Sequence, residues 1–224
     1  MILLESVGKV YGSGPGRAVA LDGISISVAP GQFIAVAGPS GSGKTSLLNL
    51  IGGLDEPTSG SVSIDGKRLR DLSEDERAGL RLRTVGFIFQ HFNLIPVLSA
   101  AENVELPLLF RPIGAADRRR RVARALERVG LGDKQARRPA ELSGGELQRV
   151  AVARALAGEP AIVLADEPTA NLDHETGAAV IGLMHELNRE NRTTFLYSSH
   201  DQELIRLADR VVRLRDGRLL AEGA

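Results

Sequence analysis

Four short, mostly apolar runs recur along the 224-residue chain. Runs of this kind, without strict alternation, are typical of strands in a parallel sheet, because such a sheet is buried on both faces. The runs are Phe33–Ala37, Val85–Phe89, Ala161–Ala165 and Thr193–Ser198. Stretches with helical spacing of apolar residues separate them, so the pattern predicts an α/β fold built on a parallel sheet.

The N-terminal part of the chain follows a different pattern. Ile24–Val28 alternates between apolar and polar residues, as expected for a strand with one buried face. Ser61–Ile64 is predicted to be another short strand, closed by a turn. We therefore predict an antiparallel β subdomain formed by about residues 1–30 and 61–70.

A third pattern begins after the second apolar run. From about residue 91 to residue 142 the sequence predicts helices with no parallel strand between them. Ser99 followed three residues later by Glu102 is typical of a helix N-terminus. We expect a helical insertion at about residues 91–142, within a single domain that spans residues 1–224.

Composition and charge exclude several classes of protein. With 28 basic and 28 acidic residues the formal net charge is zero, so no global field attracts nucleic acid or anionic lipid. Cysteine is absent, which excludes disulfides and thiolate catalysis. No apolar run approaches the ~20 residues of a membrane span, and no signal peptide is recognisable at the start. We expect a soluble, cytoplasmic protein, and we interpret Arg118–Arg121 as a solvated helix face rather than a nucleic-acid site.

A phosphate-binding loop follows the first apolar run. The segment Gly38-Pro39-Ser40-Gly41-Ser42-Gly43-Lys44-Thr45 matches the pattern G-x-x-x-x-G-K-[ST], and a helix is predicted from Ser46 onward. In the order strand, loop, helix, the glycines let backbone N–H groups curl around phosphate oxygens at the positive end of the helix. Lys44 can reach the β- and γ-phosphates, and the Thr45 hydroxyl can bind Mg²⁺. The sequence therefore predicts binding of a nucleoside triphosphate.

Polar residues follow the other apolar runs, where open α/β sheets bind ligands. Asp166 ends the third run, as a P-loop enzyme requires to hold Mg²⁺, and the adjacent Glu167 could polarise a water. His200 follows the fourth run and could donate a hydrogen bond to phosphate. Gln90, after the second run, could face a ligand or simply face water. Tyr11, beside a flexible glycine loop, could stack on a base or pack against the protein.

Ser143-Gly144-Gly145-Glu146 opens another predicted helix. Ser143 and Glu146 form a capping-box pattern, which by itself indicates only a well-capped helix. The two glycines would expose backbone N–H groups at the helix start, which also suits an anion site.

Taken together, these motifs resemble those of the ATP-binding subunit of ATP-binding cassette (ABC) transporters, over essentially the whole chain. The resemblance makes the phosphate loop a Walker A motif and the strand that ends at Asp166 a Walker B motif. It implies that Glu167 is the catalytic base and that His200 is the switch histidine. It also implies that Gln90 acts with Thr45 and Asp166 at the magnesium ion. The fold implied is a P-loop NTPase core with an N-terminal antiparallel β subdomain and an inserted helical subdomain.

Three further segments resemble parts of this family. Leu142–Glu146 is similar to the signature motif, Asn171-Leu172-Asp173 to the D-loop, and Tyr11 to the aromatic residue of the A-loop. In the family the signature motif completes the ATP site of a second protomer, so we expect a homodimer on ATP binding. The residues of the signature and D-loop that we expect at the ATP site are Ser143, Gly144, Gly145 and Asp173.

Within the family, the chain is similar to the lipoprotein-releasing and macrolide-exporter group, on Ile51–Asp55 and Leu164–Thr169. The resemblance implies transmembrane permease subunits on other chains, and a peripheral location on the inner face of the cell membrane. We expect the apolar segment Phe92–Pro96 to be exposed and to contact those subunits.

The chain departs from its family at three places. Glu146 stands where the signature usually has Gln, Ala170 replaces a common Gly, and Ser198-Ser199 replaces a pair such as Val-Thr before the histidine. Other ABC proteins fit less well, since those of DNA repair carry coiled coils or zinc elements and those of translation carry two cassettes. A small-molecule P-loop kinase would lack the signature motif.

Overall fold

The computed structural model describes residues 1–220, whose strands form two sheets. In chain order the strands are β1 (Ile2–Tyr11), β2 (Ala18–Val28), β3 (Phe33–Ala37), β4 (Ser59–Ile64), β5 (Lys67–Arg68), β6 (Val85–Ile88), β7 (Ile162–Ala165), β8 (Thr194–Ser199), β9 (Arg210–Arg215) and β10 (Arg218–Leu219). The α-helices are α1 (Lys44–Ile51), α2 (Glu74–Thr84), α3 (Ala100–Glu105), α4 (Ala115–Arg128), α5 (Gly144–Leu156), α6 (His174–Asn191) and α7 (Gln202–Ile205).

The larger sheet carries the predicted parallel core. Its six strands lie in the order β10-β9-β3-β8-β7-β6, and every neighbouring pair is parallel except β10 with β9. The smaller sheet has the order β2-β1-β4-β5, and its strands are antiparallel. The predicted fold class, an α/β core with a parallel sheet and an N-terminal antiparallel sheet, is confirmed.

Both faces of the larger sheet are buried, which explains why its strands lack alternation. In β3, Phe33, Ala35 and Ala37 face a core shared with helices α3 to α6. Ile34 and Val36 face a second core, shared with α1 and the antiparallel sheet. All five residues are at most 2% exposed. The sheet is therefore the middle layer between helices on one side and α1 with the smaller sheet on the other.

Local capping determines where several helices begin. Ser73, Ser99 and Ser143 each form a complete capping box at the start of α2, α3 and α5, and the last two of these helices begin where the sequence predicts. Helix α1 differs, because it follows Gly43 and has no side-chain cap. The N–H groups of its first turn therefore remain available to a ligand.

Between β6 and β7 the chain forms α3, α4 and α5 with intervening 3₁₀ turns. The boundaries predicted for the helical insertion, 91–142, and for the β subdomain stay predictions, and residues 221–224 of the predicted domain lie outside the described residues. Within residues 1–220, none of the helices has the length and apolar character needed to cross a membrane.

Candidate active site

The predicted site residues lie at one edge of the larger sheet. Strands β3, β8, β7 and β6 are parallel neighbours, so their carboxyl ends meet at the same edge. This brings together the loop after β3, Gln90 after β6, Asp166 and Glu167 after β7, and His200 after β8. Segments that are far apart in the chain therefore form one site, as expected for an open α/β sheet.

The loop between β3 and α1 has the backbone geometry of a phosphate cradle. Gly43 has φ of 102°, and a Cβ atom there would lie 2.4 Å from the carbonyl oxygen of Ala20, so only glycine fits. The hydroxyl of Ser42 is buried and finds no hydrogen-bond partner among the described residues. Together with the uncapped start of α1, these features fit a bound phosphate chain.

Lys44 lies beneath this loop and is 5% exposed. Its ammonium group donates hydrogen bonds to the carbonyl oxygens of Gly38 (3.0 Å) and Pro39 (3.1 Å). It also lies 3.3 Å from Oε1 of Glu167. A desolvated cation is thus held between the phosphate loop and the carboxylate that follows Asp166, and these are partners that a triphosphate can replace.

Asp166 has hydrogen bonds to both carboxylate oxygens. The hydroxyl of Thr45 donates to Oδ2 at 2.8 Å, and the hydroxyl of Ser198 donates to Oδ1 at 2.7 Å. A hydroxyl and a carboxylate side by side form the oxygen donor set that Mg²⁺ prefers, so these residues fit the metal. Sequence reasoning did not identify the role of Ser198, although a serine buried in a central strand is a signal for such a bond.

The carboxylate of Glu167 lies between the ammonium group of Lys44 and the imidazole of His200. Its Oε2 is 3.5 Å from Nδ1 of His200, whose side chain is 65% exposed, and its Oε1 faces Lys44. The backbone of Glu167 is left-handed, with φ of 43°, which is uncommon for a residue with a Cβ. The carboxylate is therefore fixed in a position where it could accept a proton from water at the site.

Gln90 is half-buried and is connected to the predicted D-loop. Its carbonyl oxygen accepts a hydrogen bond of 2.6 Å from the Asn171 side chain. Arg154 of α5 donates to the carbonyl oxygens of Phe92 and Asn93, both of which have positive φ. Neither contact could be predicted from local sequence patterns, because each joins segments far apart in the chain.

Tyr11 is oriented by a charged cluster. Its hydroxyl donates to Oδ2 of Asp55 at 2.8 Å, and Nζ of Lys9 lies 4.8 Å from the centre of its ring. Burial alone would raise the pKa of Asp55, but hydrogen bonds from Lys9 and Tyr11 outweigh it and lower that pKa. Ser46 lies 3.4 Å from the Tyr11 hydroxyl, which places this ring beside the first turn of α1.

The predicted signature motif packs against the predicted D-loop. A Cβ atom on Gly145 would lie 2.6 Å from the methyl group of Thr176, so this glycine is required for the close approach of α5 and α6. Asp173 caps α6 and accepts hydrogen bonds from the backbone and hydroxyl of Thr176. The structure thus gives Gly145 and Asp173 packing and capping roles within one protomer, and their contact with ATP stays a prediction.

Glu146, which stands where the signature motif usually has glutamine, forms an ion pair that a neutral glutamine could not form. It pairs with Lys134, and its other oxygen accepts the N–H of Ser143 at 2.8 Å. The hydrogen bond from Lys134, followed by that from Ser143, lowers the pKa of Glu146 from 4.5 to about 2. The acidic residue therefore adds a charge–charge contact to an ordinary capping box.

We expect Glu146→Gln to lower the melting temperature at neutral pH, and the deficit to shrink on acidification. Because the folded pKa of Glu146 lies below its ordinary value, the pair contributes fully above about pH 4.5 and loses its effect as pH falls toward 2. Glutamine keeps the bond to Ser143, so the variant removes only the charge. Melting curves of both proteins between pH 3 and pH 7 test this, with Glu127→Gln at an exposed position as control. A deficit independent of pH would contradict it.

The segment Phe92–Pro96 is exposed in part, at Asn93, Ile95 and Pro96. Leu94 is half-buried and packs against the core. The side chain of Asn103, 0% exposed, accepts the N–H of Ile95 and donates to the carbonyl oxygens of Ile95 and Leu98. The expected exposure is therefore found at Ile95 and Pro96, whereas Leu94 is only partly exposed in a loop that this buried amide anchors to α3.

An apolar groove of about 410 Å³ lies nearby, between β6, the 3₁₀ turn after α3, and α5. Phe110, which is 72% exposed, forms part of its rim. Other residues that line the groove are Leu54, Phe87, Phe89, Leu106 and Arg154. Exposed aromatic surface of this kind is typical of a contact site for another protein.

Comparisons with known proteins agree with this geometry. The family profile described as "ABC transporter" matches residues 21–170. The lipoprotein-releasing system ATP-binding protein LolD of Pseudomonas syringae pv. tomato is 48% identical over 216 residues, which cover 96% of this chain and 95% of LolD. The macrolide export ATP-binding/permease protein MacB of Syntrophobacter fumaroxidans is 46% identical over 219 residues, which cover 97% of this chain but 31% of MacB.

The fold is also similar to a solved dimer. The structure of a post-hydrolysis state of the ATP-binding cassette MJ0796, bound to ADP and Pi, aligns with a TM-score of 0.89 and 43% sequence identity. The alignment covers 98% of this chain and 96% of that one. A protein named MJ0796, from Methanocaldococcus jannaschii, is 45% identical over 226 residues.

Proposed function

The chain belongs to the ABC transporter family of ATP-binding proteins, and on that premise we propose that it binds and hydrolyses Mg-ATP to drive separate membrane permease subunits. The single observation that carries the proposal is the convergence of the phosphate loop, Asp166, Glu167 and His200 at one sheet edge, within hydrogen-bonding or ion-pair distances. The relatives named for lipoprotein release and macrolide export suggest the transported class, a lipoprotein or an exported amphipathic compound.

Each residue of the site has a role in this proposal. The uncapped turn of α1 and Lys44 bind the phosphates, and Tyr11 stacks on the base. Thr45, Asp166 and Gln90 hold Mg²⁺, which supplies positive charge at the phosphate oxygens. The assignment of Tyr11 follows its position beside the first turn of α1, and the others follow the donor chemistry of the side chains and their common position at the sheet edge.

The chemical step needs a water placed in line with the terminal phosphate. Phosphoryl transfer leaves the protein mainly positioning and charge stabilisation to supply. Glu167 accepts a proton from that water, and His200 keeps Glu167 in register with the phosphate. The 3.5 Å between Nδ1 of His200 and Oε2 of Glu167 supports this division of roles.

Two copies of the chain form the working unit in this proposal. Ser143, Gly144 and Gly145 face the ATP bound by the other copy, since backbone N–H groups at the start of α5 suit an anion. The dimeric relative bound to ADP and Pi supports a dimer that assembles around nucleotide. Assembly on a permease would place the protein at the inner face of the membrane.

The apolar groove is the proposed contact site for the permease. Its exposed Phe110, with Phe87 of β6 and Phe89, suits a short amphipathic helix. Arg154 at the wall of the groove contacts the segment after Gln90. A partner in this groove would therefore contact Arg154, which is hydrogen-bonded to the segment that follows Gln90 of the nucleotide site.

We expect the chain to copurify with a multi-span membrane protein from detergent extracts of its own cells, and Phe110→Glu to abolish this while basal ATPase activity is retained. Burying a carboxylate in an apolar groove is strongly unfavourable. Leu109→Glu is the matched control, because Leu109 lies on the same 3₁₀ turn, is 53% exposed, and is outside the groove lining. Equal copurification of both variants would place the permease contact elsewhere, and a wild-type protein without ATPase activity would contradict the proposed function itself.

A further inference from the structure

Ser198 lies near the end of β8, and 0% of its surface is exposed. Its hydroxyl donates a hydrogen bond to Oδ1 of Asp166 at 2.7 Å and accepts one from the backbone N–H of Glu167, also at 2.7 Å. A buried hydroxyl without partners is costly, and this one both donates and accepts. One side chain thus bonds to both residues that follow β7.

The contact with Asp166 fixes the orientation of its carboxylate. The other carboxylate oxygen accepts the hydroxyl of Thr45 at 2.8 Å. In the proposed function Thr45 binds a metal ion through a lone pair of its oxygen, and its O–H can still donate to Oδ2 of Asp166. Ser198 is the second donor, and with one donor on each oxygen the carboxylate cannot rotate without losing a hydrogen bond.

The contact with Glu167 fixes a strained backbone. Its φ of 43° belongs to a region that residues with a Cβ seldom occupy, and such conformations persist only where surrounding contacts hold them. The bond from its N–H to Ser198 is such a contact. In this conformation the Glu167 carboxylate lies between Lys44 and His200.

We propose that Ser198 is a positioning residue, whose hydroxyl sets the placement of Asp166 relative to Glu167 during ATP hydrolysis. The inference rests on the proposed function of the site. A valine at this position would offer no hydroxyl. The hydroxyl therefore connects the carboxylate of Asp166 to the backbone of Glu167, which an aliphatic side chain cannot do.

The matched pair Ser198→Thr and Ser198→Val tests the inference. Threonine and valine have nearly the same shape, so their packing effects on the buried site cancel, and only threonine keeps the hydroxyl. We expect Ser198→Val to lower kcat about 10-fold or more relative to Ser198→Thr, since small displacements of catalytic groups can cost up to ~10²-fold in rate. The KM for ATP should differ by less than about two-fold, because the phosphate loop is unchanged.

Nucleotide binding supplies a readout that does not depend on turnover. The affinity of each variant for a fluorescent ATP analogue is measured first in EDTA and then across a magnesium titration. In EDTA the two variants should have equal affinity. The magnesium concentration for half-maximal tightening should be higher for Ser198→Val, because Asp166 has lost an orienting donor. Ser63→Ala, at a serine that is 7% exposed on β4, controls for loss of a buried hydroxyl elsewhere.

The outcomes separate the inference from the function on which it rests. Threonine and valine variants with the same kcat and the same magnesium titration would overturn the role of Ser198, even if the wild type hydrolyses ATP normally. A wild type that neither binds Mg-ATP nor hydrolyses it would overturn the proposed function instead. If both variants melt far below the wild type and are equally inactive, Ser198 is a packing residue and the inference is wrong.

Discussion

Replacing Glu167 by glutamine is expected to lower ATP turnover by about 10²–10⁴-fold, the range typical of general-base assistance. Glutamine keeps the size of the side chain and much of its hydrogen bonding, but it cannot take up a proton. ATP binding should survive. Because a carboxylate beside the triphosphate is removed, the ATP-bound dimer should accumulate and become isolable by gel filtration.

Single-turnover and steady-state assays on Glu167→Gln measure the chemical step, with Glu175→Gln as a matched control at an exposed glutamate in the first turn of α6. Asp166→Asn should behave differently and lose magnesium-dependent tight binding as well as turnover. Hydrolysis by Glu167→Gln at a near-normal rate would place the base elsewhere, and His200→Ala would then be the next variant to assay.

Lys44→Ala is expected to weaken ATP binding at least about 100-fold, near the upper end of the ~1.5–3 kcal/mol typical of a hydrogen bond to a charged group. Lys44 is 5% exposed and has no neighbouring lysine to replace it on the phosphate loop. Its loss also removes a cation 3.3 Å from Glu167, which leaves that carboxylate facing the triphosphate.

Isothermal titration with ATP in magnesium buffer measures the loss of affinity in Lys44→Ala, and thermal melting checks that the variant is folded. Lys67→Ala, at an exposed position on β5, is the control for removal of a positive charge. Wild-type affinity in a folded Lys44→Ala protein would contradict the assignment of the phosphate loop.

The sequence predicted those parts of the fold that depend on neighbouring residues. The capping boxes at Ser99 and Ser143 are each complete within four residues, and α3 and α5 begin there as predicted. The apolar runs likewise identified the strands of the buried sheet, because a strand that is buried on both faces is apolar at nearly every position.

Contacts between distant segments are not indicated by any comparable local sequence pattern. The bond of Ser198 to Asp166 and the ion pair of Lys134 with Glu146 depend on how strands and helices pack, which no local pattern encodes. Leu94 was expected on the surface for the same reason, since the buried amide of Asn103 that anchors its loop lies on the following helix. Site residues at strand ends could be proposed from sequence, whereas their orienting partners required the structure.

The position of β3 in the larger sheet has a consequence for biosynthesis. Both neighbours of this strand come from much later in the sequence, with Phe33 paired to Phe195 of β8 and Ile34 to Arg210 of β9. A ribosome therefore releases the phosphate loop long before the strands that hold it, and both edges of β3 stay unpaired meanwhile. Exposed strand edges invite pairing with other chains, and contacts between distant segments form slowly. The nucleotide site is thus completed only after β8 and β9 have been synthesised.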